Sequence, residues 1–456
     1  ADTDQQRTAV ENALDEQQAI WMGALGLDDG GGPAAADDPA RRKELRIRRA
    51  GALLLTDGPR AAVAEATGLL TEPDDRIRTW AAIVLGCSLA RVGQCEQALD
   101  VAVAGHASHR SLEWLTGWER WWHDFNRTEA LLQAGRLIDA HTLALDNYEL
   151  ALASQAVERQ ALFGWQLTKI NYERGRLTTA ARQGKVCTSL FRALGRTAYI
   201  RVAQVSAALA LARSGHAAEA AKTIAEVERS ELRIPAIAAV DLWRAKAWCA
   251  ASTGTIADGR HHLAEAIAIG AGTGDVMGES AALHDLARLG GDAADRLAEL
   301  RSSADSALLA ARDMHADATR AGDPEALAQA AQRFNTIGAQ LTAAEAAADS
   351  AVRWKRAGDV RRAAAAEQRA HTLLADCEGV QAFGVDNLGA RSVLSPGEHE
   401  TAAIAATGKS NREIARQLNL SQRTVENRLQ RVYDKLGVRG RDDLPEALGL
   451  TPAGPD

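Results

Sequence analysis

The chain has 456 residues, 46% of them hydrophobic and 25% charged, an ordinary globular composition long enough for two or three domains of about 150 residues. No run approaches the roughly 18 uninterrupted apolar residues of a spanning helix, and no basic stretch followed by an apolar one opens the chain, so a cytoplasmic protein without membrane contact is expected. Five cysteines, Cys87, Cys95, Cys187, Cys249 and Cys377, are odd in number and lack a C-x-x-C pair, which argues for reduced core thiols and against a disulfide framework or zinc site. The first methionine is Met22, so a fragment or processed product is expected.

Thr8 to Leu27 reads as an amphipathic helix and Asp28 to Pro39 (DDGGGPAAADDP) as a flexible linker, together an N-terminal segment over 1–41. Over 42–377 alanine and leucine dominate, prolines are few and alternating β-branched runs are nearly absent. That pattern predicts helix throughout and an all-α chain. The opening basic run, Arg41, Arg42, Lys43, Arg46, Arg48 and Arg49, reads as the solvated face of the first repeat helix, because Leu45, Ile47 and Leu53 to Leu55 supply a buried side.

A glycine followed five positions later by a small residue then recurs: Gly93 with Ala98, Gly135 with Ala140, Gly175 with Ala180, Gly215 with Ala220 and Gly254 with Gly259. The intervals of 42, 40, 40 and 39 residues fit two amphipathic helices plus two turns. The glycine would turn the chain between paired helices, and the small residue would let them approach. Gly338 with Ala343 and Gly358 with Ala363 are out of step. These segments resemble tetratricopeptide (TPR)-like repeats, without that family's tryptophan and proline signatures, and predict a superhelix that binds an effector or partner. Trp114, Trp118, Trp121, Trp122 and Phe125 lie at helical spacing. Such a stripe is either inter-helix packing, its commoner fate, or a pocket for an apolar or planar effector.

A linker over 378–392 leads to a small four-helix domain over 393–450. Ser395 with Pro396 and Glu398 is a capping box opening a helix that Gly408 closes; Ser410 with Glu413 is a second. After the short turn Asn419-Leu420, Ser421 caps a third helix whose core side is Val425, Leu429, Val432 and Leu436, ended by Gly437, and a fourth spans roughly Asp443 to Leu448. A short helix, a tight turn and a longer amphipathic helix make the helix-turn-helix plan. The polar side of the third helix carries Gln422, Arg423, Glu426, Asn427 and Gln430, residue types that reach base edges. Arg412, Thr424, Arg428, Arg431 and Lys435 surround them and suit phosphates. Leu394 to Arg441 holds nine Lys or Arg against five Asp or Glu, a basic end on a chain of net charge −7, which points to double-stranded DNA as partner.

Leu394-Ser395-Pro396-x-Glu398, Gly408-x-Ser410-Asn411-x-Glu413-Ile414-Ala415, Leu418-x-Leu420-Ser421-x-x-Thr424-Val425 and Lys435-Leu436-Gly437-Val438-x-x-Arg441 resemble the LuxR-type DNA-binding domain. The resemblance implies that the Ser421 helix enters the major groove and that the domain binds DNA as a homodimer, often through its last helix. Members of that family usually carry lysine at the position of Glu426 and histidine at that of Arg428, so base preference does not transfer there, and Glu426 would accept from cytosine N4. Repeats ahead of such a domain resemble the large ATP-binding LuxR regulators, including the maltose-regulator type. No G-x-x-x-x-G-K-[ST] is present, since Ala403 stands where Gly408-Lys409-Ser410 would need a glycine. Either the ATPase part has been removed or a member of this kind works without it. No cofactor is expected. Without H-E-x-x-H, G-x-S-x-G or a convergent carboxylate pair no enzyme is expected either, and His261-His262 and His106 with His109 read as surface polar residues. The sequence therefore predicts a bacterial transcriptional regulator whose repeat body senses a small-molecule effector or protein partner. The alternative is an interaction scaffold with DNA binding as a localising activity.

Overall fold

The computed structural model describes residues 39–109, 120–229, 234–378, 394, 396–436, 438 and 440–447. The expected N-terminal helix, its linker up to residue 38, and the 379–393 segment lie outside the described residues. So do Trp114 and Trp118 of the aromatic stripe, the Ser395 cap and the Gly437 stop.

Helices follow one another as hairpins: α1 (Pro39–Thr56) with α2 (Pro59–Thr67), α3 (Asp75–Arg91) with α4 (Cys95–His109), α5 (Trp121–Ala134) with α6 (Leu137–Ala153), α7 (Val157–Glu173) with α8 (Leu177–Ala193) and α9 (Thr197–Arg213) with α10 (Ala217–Glu228). The series continues with α11 (Ala236–Ser252) and α12 (Ile256–Thr273), α13 (Val276–Arg288) and α14 (Ala294–Ser302), α15 (Ala307–Ala321) and α16 (Pro324–Ile337), and α17 (Gln340–Arg356) and α18 (Val360–Leu374). Then come α19 (Pro396–Ala406), α20 (Asn411–Gln417), α21 (Gln422–Leu436), a 3-10 turn (Arg441–Asp443) and α22 (Leu444–Ala447). No strand occurs among the described residues, so the chain is all-α there, and no described helix is long and apolar enough to cross a membrane.

The two members of a hairpin differ in burial. On α9 every residue from Arg201 to Arg213 is buried, whereas α10 buries only the stripe Ala220, Ile224 and Val227. A helix covered all round lies between neighbours, and one with a single apolar stripe is an outer layer. This two-layer stacking is a TPR-like helical-repeat superhelix, with Phe163, Phe191 and Phe334 among its fully buried side chains. Gly93, Gly135, Gly175, Gly215 and Gly254 all adopt positive φ between the two helices of a hairpin, as their spacing predicts. The apparent loss of step afterwards has two causes: the hairpin turns at Gly290, Gly322 and Gly358 come at intervals of 36, 32 and 36 residues, and the first two lack the small residue. The next hairpin turns use Gly290 and Gly322, but Asp295 and Leu327 stand five residues on, so the small-residue half of the signature is gone. Gly338 turns the chain between hairpins rather than within one.

The superhelix closes on itself. Its later hairpins supply groups that finish the earlier ones: the Asp305 carboxylate accepts from the amides of Cys95 (2.6 Å) and Glu96 (3.0 Å) at the start of α4, and Ser306 Oγ donates to Gln133 O (2.5 Å) at the end of α5. Glu378 N donates to Gly175 O (3.1 Å), and Leu177 N donates to Glu378 O (3.2 Å). Helix ends otherwise leave such donors and acceptors unmade, so each turn of the superhelix caps the one beneath it. Arg91 reaches across 184 residues to an ion pair with Asp275, and both are buried. The five cysteines are free thiols, two of them buried and three half-buried.

Gly175 stands at this seam with φ 82°, and a Cβ there would meet Leu341 Cβ at 2.7 Å and Cys377 Sγ at 3.1 Å. Gly195 has φ 67° but nothing within 4 Å. Gly175→Ala should therefore lose about 2–4 kcal/mol and Gly195→Ala about 1–2, the second being left-handed strain alone, compared by urea unfolding followed by far-UV circular dichroism. A second expectation concerns pH. His284 Nε2 and His315 Nδ1 lie 2.8 Å apart, and burial together with the neighbouring ring and Arg312 pushes His284 well below its usual range, while burial brings His315 to about 4. Unfolded histidines take up protons near pH 6.5, so the unfolded state binds more protons in this window. Stability should fall as pH drops from about 6.5 towards 4, with a shallower fall in His315→Gln.

Candidate nucleic-acid interface

Residues 394–447 build their own small core. Ile404 of α19, Ile414 of α20, Val425, Leu429 and Val432 of α21 and Leu444 of α22 are all buried together. Local chemistry fixes the chain path. Gly408 ends α19 at φ 84°. The Ser410 hydroxyl accepts from Glu413 N (3.4 Å) while the Glu413 carboxylate accepts from Ser410 N (2.8 Å), a complete capping box, and these bonds hold the Glu413 carboxyl below its usual range. Asn419 takes φ 51° in the tight turn, one of few residue types to do so readily, and Leu420 N donates to Ala415 O (2.9 Å). Thr424 N donates to Ser421 Oγ (3.1 Å), starting α21 where the sequence places its cap.

With its apolar side buried, α21 turns the other side outward. Gln422, Arg423, Glu426, Asn427, Gln430 and Arg431 are exposed, as is Arg412 on α20. They differ in what engages them. Gln422 Nε2 donates to Glu426 Oε1 (3.2 Å) and Gln430 Nε2 to Asp434 Oδ1 (3.1 Å). Arg423, Asn427 and Arg431, spaced at i, i+4 and i+8, form one stripe and make no hydrogen bond or ion pair with the described residues. Thr424 is half-buried with Oγ1 2.7 Å from Ser421 Oγ. Arg428 is half-buried too, its Nη1 donating to Gly397 O (3.3 Å) on α19, so this side chain braces two helices. The side chain of Lys435 lies outside the described residues. Sequence reasoning gave no role to Arg441, whose Nη2 donates to Asn411 Oδ1 (2.5 Å) and ties the 3-10 turn to α20. Both residues stood in the quoted motif, but only the fold brings them together.

The model for bacterial regulatory proteins of the luxR family, GerE, matches residues 392–446. That segment is a LuxR-type helix-turn-helix domain. Over 48 residues, 10% of this chain, it is 50% identical to a probable HTH-type transcriptional regulator, GfsR, of Streptomyces halstedii, of whose length the chain spans about a fifth, 20%. The helical body is similar in fold to a Rap protein solved in complex with competence and sporulation factor, with TM-score 0.51 and 13% identity over 73% of this chain and 98% of that one. The apo quorum sensor NprR of B. thuringiensis aligns at TM-score 0.42 and 9% identity over 74% of this chain and 100% of that one. The LuxR-type domain thus sits behind a body of Rap-like fold.

In that body, the described part of the aromatic stripe is mostly packed. Trp121 stacks on Trp122 at 5.0 Å and meets Phe163 edge-on at 6.1 Å; Phe125 is buried between Trp122 (5.5 Å) and Trp165 (5.9 Å). Trp122 and Phe125 also line a cavity of about 60 Å³, and Trp121 does not. Beside it lies a set of buried charges that sequence reasoning did not single out. Arg91 pairs with Asp275 and stands 3.7 Å from Glu129, which Lys169 also engages. Arg244 pairs with Asp285, and Arg213 and Arg288 share Glu345 around the face of Trp248. The two cations hold the Glu129 carboxyl down at about 2 against the opposing effect of burial. The available signal was a charge at helical spacing from apolar residues, as Glu129 is from Phe125 and Leu132.

Arg428→Ala should destabilise the LuxR-type domain by about 1.5–3 kcal/mol, the range for a hydrogen bond from a charged group, whereas Arg423→Ala should leave it within about 0.5 kcal/mol. Thermal unfolding of the two variants would make the comparison.

Proposed function

We propose that the chain is a bacterial transcriptional regulator that reads duplex DNA with α21 and whose helical body senses an effector or partner. The observation that carries the reading is the stripe of Arg423, Asn427 and Arg431, exposed and uncommitted on the recognition helix of a LuxR-type domain. Asn427 has the bidentate geometry for adenine and Arg423 that for guanine. Arg412, Arg431 and, by its place on α21, Lys435 are assigned to phosphates, which position the domain without reading sequence. Glu426, engaged by Gln422, would have to release it to accept from cytosine. Arg428 and Thr424 act as supports for α21 in this reading, because both are tied inside the domain.

Two copies on a palindromic operator would place a recognition helix in successive major grooves about one helical turn apart, in the cytoplasm, where the DNA is. Effector control is supported by the fold shared with a Rap protein that was solved together with a factor. An effector favouring one arrangement of the body would shift how often two readers are correctly paired, and by no more than its difference in affinity for the two arrangements.

Selection of bound duplexes from a random pool should return palindromic half-sites one turn apart, and a pool without enrichment refutes the reading. On the selected duplex, Arg423→Ala or Asn427→Ala should cost about 1–3 kcal/mol and relax specificity, while Lys435→Ala should weaken binding to selected and scrambled duplexes alike. Gel shifts at fixed salt measure both. Equal losses for all three variants on both duplexes would contradict the assignment of base-facing residues.

A further inference from the structure

The outer helices on either side of α8 mix charges of both signs, α6 with Arg136, Asp139, Asp146 and Glu149, and α10 with Glu219, Lys222, Glu226 and Glu228. The helix between them does not. Across 174–218 the sequence carries eight Lys or Arg and no Asp or Glu. At the chain's average of 60 acidic residues in 456, those 45 residues would hold about six. A surface that serves only to keep a protein soluble intersperses the two signs, so a single-sign stretch in a chain of net charge −7 calls for another explanation.

Folding sorts the eight cations. Arg201 and Arg213 are buried and bonded within the body, to Val227 O and to Glu345. The other six stand on α8 or at its ends. That helix buries the stripe Leu177, Ala180, Gly184, Cys187 and Phe191, and so turns Thr178, Arg182, Lys185, Ser189 and Arg192 outward as one exposed line at steps of four, three, four and three. Arg182 and Arg192, about 15 Å apart along the axis, make no hydrogen bond or ion pair with the described residues, and neither does Arg174 at the corner before α8. Arg176 pairs with Glu378, Lys185 with Glu219 and Arg196 with Glu158. The Lys185 pair is half exposed, and such pairs are weak in solvent and readily exchanged. Burial, with Arg174 and Arg176 beside it, pushes His141 of α6 below its usual range, the direction a positive field imposes.

The line begins where the chain leaves the body. Glu378 is bonded to Gly175 and Leu177 at the α7–α8 corner, and Leu394 of the LuxR-type domain follows sixteen residue steps later, no more than roughly 55 Å away. The 17 residues of α8 extend about 25 Å from the same corner, so a duplex held by α21 runs within reach of them. We propose that the outward line of α8 is a second nucleic-acid surface, on which Arg174, Arg182 and Arg192 contact the phosphates of duplex DNA beside the site read by α21. The identity of the polyanion rests on that reading of α21. Guanidinium groups match phosphate oxygens, and the hydroxyls of Thr178 and Ser189 suit the same backbone without adding sequence information. The carboxylates of α6 and α10 flank the line, so a phosphate backbone meets favourable charge along α8 and not across it. An acidic protein segment fits less well, because the centre of a protein interface is apolar and Val186 is the large apolar side chain that α8 exposes.

The test is fluorescence anisotropy of the full chain on a labelled random-sequence duplex of about 40 base pairs, longer than a pair of half-sites, between about 50 and 200 mM salt. Each phosphate contact adds about 0.9 to the steepness of log affinity against log salt, so Arg182→Gln/Arg192→Gln should reduce it by about two. Arg182→Lys/Arg192→Lys should retain it. Arg301→Gln/Arg320→Gln removes the same charge from exposed positions elsewhere on the body and should leave the steepness unchanged. Circular dichroism and thermal unfolding check that each variant folds as the parent does. An unaltered salt dependence in the α8 glutamine variant, or an equal fall in the Arg301 and Arg320 variant, overturns the proposal. Enrichment of palindromes from the random pool together with an unaltered salt dependence would keep α21 as the reader and remove α8 alone, whereas no duplex binding by the parent chain at the lowest salt would remove both.

Discussion

The contact between Arg91 of α3 and Asp275 at the head of α13 is the one on which the shape of the body depends. A solenoid whose repeats touch only their neighbours is close to one-dimensional, free to open or wind by small changes at each interface. Here the second winding is bonded to the first. A buried ion pair adds little net stability over apolar packing, but leaving one member buried without the other costs about 3–5 kcal/mol, so it sets the register of one winding on the other more than it strengthens either. The borrowed caps from Asp305 and Ser306 to α4 and α5 follow the same logic: they bond only when the two windings align.

The DNA-reading end follows a different design. Its core is separate, its helices are short, and its geometry comes from capping chemistry at Ser410, Ser421, Gly408 and Asn419. Because Val425, Leu429 and Val432 hold α21 from one side and Arg428 braces it to Gly397, the outward stripe is presented on a rigid element with its polar groups unspent. That is what a reader of base edges needs, since groups already bonded within the protein would have to be released before contacting DNA.

What the sequence revealed follows from how local each feature is. Capping boxes, the αL turns and the apolar stripe of α21 are determined within a few residues, and they stand where Ser410, Glu413, Gly408 and Val425 place them. The hairpin period was legible while hairpins kept one length and a small residue accompanied the glycine; it became illegible at Gly290 and Gly322, where Asp295 and Leu327 replace the small residue and the intervals shorten to 36 and 32 residues, so that even Gly358 with Ala363 falls out of step. The closure of the superhelix had no local signal. Nothing near Asp305 indicates that its carboxylate caps a helix some 210 residues earlier, and nothing near Arg428 distinguishes a brace from a phosphate contact, since both sit on the polar side of an amphipathic helix. The aromatic stripe was legible as a stripe; that Trp122 and Phe125 border a void while Trp121 is packed depends on the hairpins that surround them.

Glu378 is bonded to Gly175 and to Leu177, with its side chain held by Arg176 (2.9 Å) and Thr179 (2.5 Å). The body therefore releases the chain not from a free end but from beside its own middle, at the α7–α8 corner. Sixteen residue steps separate Glu378 from Leu394, so the reader can never stray beyond roughly 55 Å from that corner whatever path the intervening chain takes. The α7–α8 corner is thus the centre of the sphere within which the LuxR-type domain must lie.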